Sequence, residues 1–154
     1  MEVEVETHSP EETAALGKAL AVYLKAGDVI SLTGELGTGK TKFTQGLAEG
    51  LRVTQRVTSP TFAVLKEYPG SGITLYHFDA YRLNGEKDLI ELGCEEYFYG
   101  DVVSVIEWGE KAGGLLPVDT LTVVFRYGDE SADRLITLVF SDVRWQPVAE
   151  ALLR

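Results

Sequence analysis

The sequence has 154 residues, of which 45% are hydrophobic and 10% aromatic, enough for one globular domain with a substantial core. Its formal net charge is −10, because 14 Lys and Arg face 24 Asp and Glu, and this balance argues against a direct grip on nucleic acid. The one cysteine, Cys94, cannot form an internal disulfide, and the sequence shows no signal peptide or apolar run of membrane length. We therefore expect a cytoplasmic protein with no membrane contact.

The first elements are a strand and a capped helix. Residues 2–7 alternate Glu with Val, which predicts a half-exposed strand. Ser9 is a good N-cap, Pro10 suits the first helical position, and Glu12 completes a capping box, so a helix is predicted up to Gly27. Its start could lie near an adenine, but an ordinary packing helix explains the pattern equally well.

A complete phosphate-binding pattern, G-x-x-x-x-G-K-[ST], follows an apolar strand (28–33) and precedes a helix (42–51). Its glycines let the main chain turn N–H groups towards a phosphate, and the following helix adds its positive end. Lys40 would pair with the β and γ oxygens, and Thr41 would offer a hydroxyl to Mg²⁺. The sequence therefore predicts an ATP-binding loop made of Gly34, Glu35, Leu36, Gly37, Thr38, Gly39, Lys40 and Thr41.

A hydroxyl-rich loop follows the connector after this helix. It contains Thr58, Ser59, Pro60 and Thr61, whose hydroxyls could hydrogen-bond the backbone or a phosphate-bound water. Loops in this position act as nucleotide switches, so these residues form a switch-like candidate. Spacing alone favours the alternative, a turn that enters a strand.

A hairpin is predicted from strands 62–68 and 73–78, joined by a turn at 69–72. Asp79 and Arg82 follow its second strand. Asp79 could orient a water or a magnesium ligand, and a surface ion pair with Arg82 is an equally good interpretation. His77 is predicted to be packed or solvent-facing, because no Cys/His cluster accompanies it.

Two short helices (86–93 and 94–98) precede a β-branched strand at 102–106. This strand ends in Glu107, and an acid at a strand tip is the second half of a phosphate-loop site, where it holds Mg²⁺ directly or through water. The alternative is a carboxylate that is merely exposed at a strand end. Trp108 could stack on a ring or a partner, although most tryptophans beside strands are core.

The last elements are a hairpin (120–127 and 134–141) and a terminal helix (146–154). Arg134 could reach the nucleotide from the hairpin turn, although a charge in that position is usually solvated. The antiparallel strands would make the sheet mixed. We predict an α/β, single-domain P-loop NTPase fold over 1–154, with a mixed, mostly parallel sheet, flanking helices and antiparallel hairpins.

Four motifs in this order resemble the bacterial TsaE family, also called YjeE. They are the loop from Gly34 to Thr41, Thr58-Ser59-Pro60-Thr61-Phe62, His77-Phe78-Asp79-Ala80-Tyr81-Arg82-Leu83 and Ile106-Glu107-Trp108. The resemblance implies a small ATPase that joins TsaB and TsaD in making threonylcarbamoyladenosine, the modified base next to the anticodon in tRNAs that read ANN codons. The resemblance further implies that TsaD would transfer the threonylcarbamoyl group and that the ATPase would reset or regulate the complex.

The resemblance also implies roles for single residues. Lys40 and Thr41 would bind phosphate and Mg²⁺, Glu107 would complete the metal site, and Asp79 would position water or act as a base near the γ-phosphate. Trp108 would lie close to the switch-like loop. The family often has Asp in place of Glu35 and Thr in place of Lys42, at positions that the chemistry does not require.

Two other functions fit a phosphate loop. A small-molecule kinase would need a lid with several arginines, and only Arg52, Arg56 and Arg82 lie between the loop and Trp108. A GTP-binding switch would need an Asn-Lys-x-Asp motif, but the only asparagine, Asn84, is followed by Gly85. An ATPase that contacts protein partners remains the leading hypothesis.

Overall fold

The computed structural model describes residues 1–58 and 64–152. Within these ranges, seven strands form one sheet in the order β1-β7-β6-β2-β5-β4-β3. The strands are β1 (Glu2–Thr7), β2 (Val29–Gly34), β3 (Leu65–Pro69), β4 (Thr74–Asp79), β5 (Val103–Glu107), β6 (Leu121–Tyr127) and β7 (Arg134–Val139). The α-helices are α1 (Pro10–Ala21), α2 (Lys40–Gly50), α3 (Glu86–Glu91), α4 (Cys94–Phe98) and α5 (Gln146–Leu152). The predicted α/β architecture is confirmed.

The centre of the sheet is parallel and its flanks are antiparallel. Strand β2 pairs in parallel with β5 and β6, and β5 pairs in parallel with β4. The hairpins β3–β4 and β6–β7, together with the pairing of β1 on β7, supply the antiparallel part. Because parallel strands end at one edge of a sheet, Gly34, Asp79 and Glu107 all emerge at that edge.

Helices α1 and α2 pack closely on one face of the sheet. The Ser9 hydroxyl accepts the Glu12 amide at 3.1 Å, so the predicted N-cap of α1 forms. Gly46 permits the close approach of the helices, since a Cβ there would lie 1.8 Å from the carbonyl oxygen of Ala14. This contact fixes α2, and with it the phosphate loop, against α1.

The sheet separates two apolar cores. On the α1 and α2 side, Leu32, Phe43 and Leu47 are fully buried. On the α3 and α4 side, Phe78 and Ile106 are fully buried as well. Each such side chain contributes about 1.5–3 kcal/mol to the free energy of unfolding. The strands that carry the polar residues of the sheet edge are thus anchored on both faces.

Helix α1 ends earlier than predicted, at Ala21 and not at Gly27. The amides of Tyr23 and Leu24 bond to carbonyls three residues back, which tightens the chain out of the α-helical path. The Asp28 carboxylate then accepts the Lys25 amide at 2.8 Å and turns the chain into β2. The helix therefore ends through local hydrogen bonds that the glycine signal does not reveal.

Two 3₁₀ segments were not predicted: Gly109–Leu115, which a kink at Gly113 interrupts, and Val143–Trp145. The predicted first strand of the early hairpin begins at residue 62, which lies outside the described residues, and β3 begins at Leu65. None of the helices in the described ranges combines the length and apolar character that a membrane span needs.

Candidate nucleotide-binding site

The loop between β2 and α2 has the backbone of an anion cradle. Gly39 precedes α2 with φ of 105°, a conformation that side chains rarely adopt, and it caps the helix with no side-chain hydrogen bond. Among the described residues, the main-chain amides of residues 36–42 donate no hydrogen bond. Free amides at a helix N-terminus suit a bound phosphate group.

Lys40 points into this loop. Its side chain is 5% exposed, and its Nζ donates to the carbonyl oxygen of Gly34 and, at 2.9 Å, to that of Glu35. The Nζ also lies 4.4 Å from the centre of the Trp108 ring. Burial lowers the pKa of Lys40, while nearby carboxylates, of which Glu107 contributes most, act in the opposite direction. The ammonium group therefore lies inside the cradle, where phosphate oxygens can replace the two carbonyls.

Thr41 and Glu107 meet beside the cradle. The Thr41 Oγ1 lies 3.3 and 3.4 Å from the two carboxylate oxygens of Glu107. Strand β5 lies directly beside β2, with Leu32 opposite Glu107, and this register carries the acid to the first turn of α2. Glu107 is 4% exposed, so it is a buried carboxylate beside a hydroxyl. Oxygen ligands of these two types are those that Mg²⁺ prefers.

His77 also reaches Glu107, which the sequence reasoning missed. The imidazole is fully buried, as the packed alternative required, and its Nε2 lies 2.5 Å from Glu107 Oε2. A signal was present, since His77 stands two residues before Asp79 and side chains two apart on a strand share a face. The sequence did not predict that β4 pairs with β5, and this pairing brings His77 to Glu107.

Asp79 lies opposite Glu107 in the pairing of β4 with β5. Its Oδ1 accepts the Tyr81 amide at 3.0 Å, which fixes the turn that follows β4. Within the described residues Arg82 is exposed and forms no ion pair, so the surface pair with Asp79 is not formed. The two acids thus stand side by side at the sheet edge.

Trp108 turns the chain sharply after Glu107. Its φ is +61°, an uncommon conformation for a bulky residue. The ring lies 5.2 Å from the Tyr81 ring as well as over the Lys40 ammonium group. Trp108 is half-buried: it packs against the apolar core on the α3 and α4 side, and its ring also borders the site.

Tyr127 and Arg134, from the late hairpin, hold the phosphate loop from outside. The Tyr127 hydroxyl donates to the Leu36 carbonyl at 2.5 Å, and an Arg134 N–H donates to the Gly37 carbonyl at 3.2 Å. Arg134 also stacks on the Tyr127 ring at 5.0 Å. The sequence reasoning selected Arg134 but not Tyr127, which acts across 91 positions of sequence.

A cavity of about 310 Å³ adjoins the outer side of the loop. It is formed by the start of α1, the phosphate loop and the late hairpin turn, with Thr13, Gly37 and Arg134 among its walls. The start of α1 therefore lines this cavity, and its proximity to an adenine stays a prediction.

The switch-like candidate is described in part. Thr58 is exposed, and its Oγ1 accepts the Lys66 ammonium group at 3.0 Å, which ties the loop to β3. Ser59, Pro60 and Thr61 lie outside the described residues.

The family model described as "Threonylcarbamoyl adenosine biosynthesis protein TsaE" matches residues 7–136. The tRNA threonylcarbamoyladenosine biosynthesis protein TsaE of Bacillus subtilis (strain 168) is 44% identical over 149 residues, covering 96% of this chain and 92% of that protein. The protein of the same name from Streptomyces coelicolor is 44% identical over 135 residues, covering 84% of this chain and 91% of its own length.

The crystal structure of YdiB from Bacillus subtilis matches this fold with a TM-score of 0.84 at 39% sequence identity. The match covers 100% of this chain and 95% of YdiB. Sequence and fold agree over nearly the full length, and the chain belongs to the TsaE family of tRNA threonylcarbamoyladenosine biosynthesis proteins.

Proposed function

We propose that this chain binds and hydrolyses ATP with Mg²⁺ and, with TsaB and TsaD, is required for threonylcarbamoyladenosine modification of tRNA next to the anticodon. The observation that carries the proposal is the meeting of Thr41 and Glu107 beside the buried Lys40 ammonium group. The family membership supports the pathway. The buried thiol of Cys94 suits a cytoplasmic setting.

The residues fit a triphosphate and a divalent ion. Unpaired amides at the start of α2 and the Lys40 ammonium group are donors for phosphate oxygens. Thr41 and Glu107 are the oxygen donors for Mg²⁺, which would neutralise charge on the β and γ oxygens. The acidic Glu107 is desolvated where it stands, so a cation beside it would offset the cost of burying that charge.

Each side chain has a distinct task in hydrolysis. Lys40 exchanges its bonds to the Gly34 and Glu35 carbonyls for bonds to phosphate oxygens. Asp79, next to Glu107 at the sheet edge, positions the attacking water or accepts its proton. Trp108 covers the ammonium group and excludes water from that side.

The cavity beside the loop is the proposed place of the nucleoside. It lies at the outer side of Gly37 and Gly39, so a nucleotide whose phosphates occupy the cradle would extend into it. Arg134, which lines the cavity, would then meet the nucleotide while it holds the loop.

The partners are proposed to complete the site. Arg82 is exposed and Arg134 is bonded to main-chain carbonyls, so few arginines near the loop are available to stabilise the transferred phosphoryl charge. We expect slow hydrolysis by the isolated chain and faster hydrolysis when TsaB and TsaD dock. The net charge of −10 favours contact with protein and not with tRNA itself.

The proposal is tested by assaying threonylcarbamoyladenosine formation with TsaB, TsaD and either this chain or its Lys40→Ala variant. A ready-made threonylcarbamoyl donor isolates the step that needs ATP hydrolysis. Lys18→Ala, which removes an exposed lysine that pairs with Glu49, is the matched control. We expect multiple-turnover modification with the wild type and the control only. A fully active Lys40→Ala chain, or tight salt-sensitive tRNA binding by the isolated chain, would contradict the proposal.

A further inference from the structure

His77 is a buried histidine that contacts Glu107, the proposed metal ligand. His77 is fully buried in the sheet, between Lys66 on β3 and Val105 on β5 in the strand register. Its Nε2 lies 2.5 Å from Oε2 of Glu107. In the part of the chain that the structure describes, its Nδ1 has no hydrogen-bond partner.

Packing alone gives no reason for an imidazole here. Leu75 and Val105 share its face of the sheet and are fully buried, so the surroundings would accept an apolar side chain. A buried polar atom without a hydrogen-bond partner destabilises the fold, and among the described residues Nδ1 of His77 is such an atom. The bond to Glu107 is the only gain that the imidazole makes over an apolar residue within the described ranges.

That bond fixes how the carboxylate is turned. The terminal torsion of a glutamate is broad, so a free carboxylate would sample many orientations. An N–H donated by His77 Nε2 holds Oε2, and the same carboxylate then faces the Thr41 hydroxyl with both oxygens at 3.3 and 3.4 Å. Because a carboxylate only accepts hydrogen bonds, the Nε2 of His77 carries the N–H in this contact.

We propose that His77 is a positioning residue that sets the orientation of Glu107 and thereby the affinity of the nucleotide complex for its divalent ion. This inference rests on the proposed function, because it needs Glu107 to be a metal ligand. Donors that orient a ligating side chain from outside typically change metal affinity about 10–100-fold when they are removed.

The test compares His77→Leu, which removes the donor, with His77→Gln, whose side-chain amide keeps an N–H in a similar place. Two affinities are measured: that of ADP in EDTA by calorimetry, and that of Mn²⁺ for the ADP complex by electron paramagnetic resonance. For His77→Leu we expect ADP affinity within about twofold of wild type and Mn²⁺ affinity lowered about 10–100-fold. His77→Gln should recover most of the Mn²⁺ affinity.

The outcomes separate the alternatives. A folded His77→Leu variant with wild-type Mn²⁺ affinity overturns the inference, and so does an equal loss of ADP affinity in EDTA, which indicates a purely structural role. If wild-type protein binds ADP but gives Mn²⁺ no added affinity over free ADP, the metal part of the proposed function fails instead.

A measurement on the unchanged chain covers the case in which His77→Leu does not fold. The protein has two histidines, and His8 is exposed, so ¹⁵N signals of the imidazoles can be assigned to His77 and His8. We expect an N–H at Nε2 of His77, and a change in its ¹⁵N chemical shift when Mg²⁺ is added to the ADP complex. Unaltered His77 signals on addition of Mg²⁺ would overturn the inference.

Discussion

Thr41 Oγ1 lies 3.3 Å from Oε2 of Glu107, which joins the first turn of α2 to the end of β5 across 66 positions of sequence. The residues next to Thr41 and Glu107 in the sequence do not by themselves bring the two side chains together. The parallel pairing of β2 with β5 brings the acid alongside the phosphate loop. The two side chains can serve together as oxygen ligands for a metal ion only because these strands are adjacent.

Replacement of Glu107 by Gln should separate metal binding from phosphate binding. The amide keeps the size of the side chain but loses its charge, so ATP affinity in Mg²⁺ should fall at least tenfold, about 1.4 kcal/mol. ATP affinity in EDTA should stay unchanged, because Lys40 and the loop amides remain. Calorimetry in the two buffers measures both, with Glu91→Gln on the exposed side of α3 as control. An equal loss in EDTA would refute the assignment of Glu107 to the metal.

Tyr127→Phe should weaken nucleotide binding from outside the loop. It removes the hydrogen bond from the Tyr127 hydroxyl to the Leu36 carbonyl, whose net worth is about 1 kcal/mol. We expect ATP affinity to fall by up to about fivefold, because the loop loses a constraint on its shape. Tyr99→Phe, at a tyrosine that is 69% exposed, is the matched control. Identical affinities for both variants would show that Tyr127 does not organise the loop.

The contact between His8 and Asp133 predicts a pH dependence. The His8 Nδ1 lies 2.9 Å from the Asp133 carboxylate, and this hydrogen bond raises the pKa of His8 above its usual 6.5 and lowers the pKa of Asp133 below its usual 3.8. The stabilisation due to His8 is therefore complete below pH 6.5 and is lost as the pH rises through the pKa of His8 in the folded protein. The stabilisation due to Asp133 is lost as the pH falls through the pKa of Asp133 in the folded protein.

Titration by NMR measures this directly. The pKa of His8 should exceed 6.5 in the wild type and return towards 6.5 in Asp133→Asn. The thermal midpoints of the two proteins should differ more at pH 5.5 than well above the His8 pKa. A His8 pKa that Asp133→Asn leaves unchanged would exclude the contact in solution.

Gly46→Ala should destabilise the packing of α1 on α2. The added Cβ would lie 1.8 Å from the Ala14 carbonyl oxygen, so a helix must move, at a cost of about 1–3 kcal/mol in the free energy of unfolding. Gly114→Ala is the control, since its nearest atom would be a Glu86 carboxylate oxygen at 3.7 Å. Urea unfolding compares the two. Equal stability would mean that the helices do not meet as closely as described.

The sequence predicts the parts of the site that depend on local pattern. The phosphate loop is a continuous motif, and the acid at the end of a β-branched run follows from the shared edge of parallel strands. The sequence therefore predicts that Lys40, Thr41 and Glu107 lie together, as they do in the structure, while their binding roles remain predictions. The roles assigned to Asp79, Trp108 and Arg134 remain predictions, although all three lie around the loop.

The other features of the site and the fold depend on the pairing of strands that are distant in sequence and on local hydrogen bonds. Neither leaves a periodic pattern in the sequence. His77 meets Glu107 only because β4 pairs with β5, and Tyr127 meets Leu36 only because β6 lies beside β2. Helix α1 ends where amides bond to carbonyls three residues back and where the Asp28 carboxylate accepts the Lys25 amide. The prediction that the helix extends to Gly27 was therefore wrong.

The most direct test of the account is the ATP affinity of Lys40→Ala in Mg²⁺, measured by calorimetry beside the wild type and the Lys18→Ala control. Losing a hydrogen bond from a charged group costs about 1.5–3 kcal/mol, so we predict one ATP site in the wild type and a loss of at least tenfold in Lys40→Ala. A folded Lys40→Ala protein that binds ATP as tightly as the wild type would contradict the account.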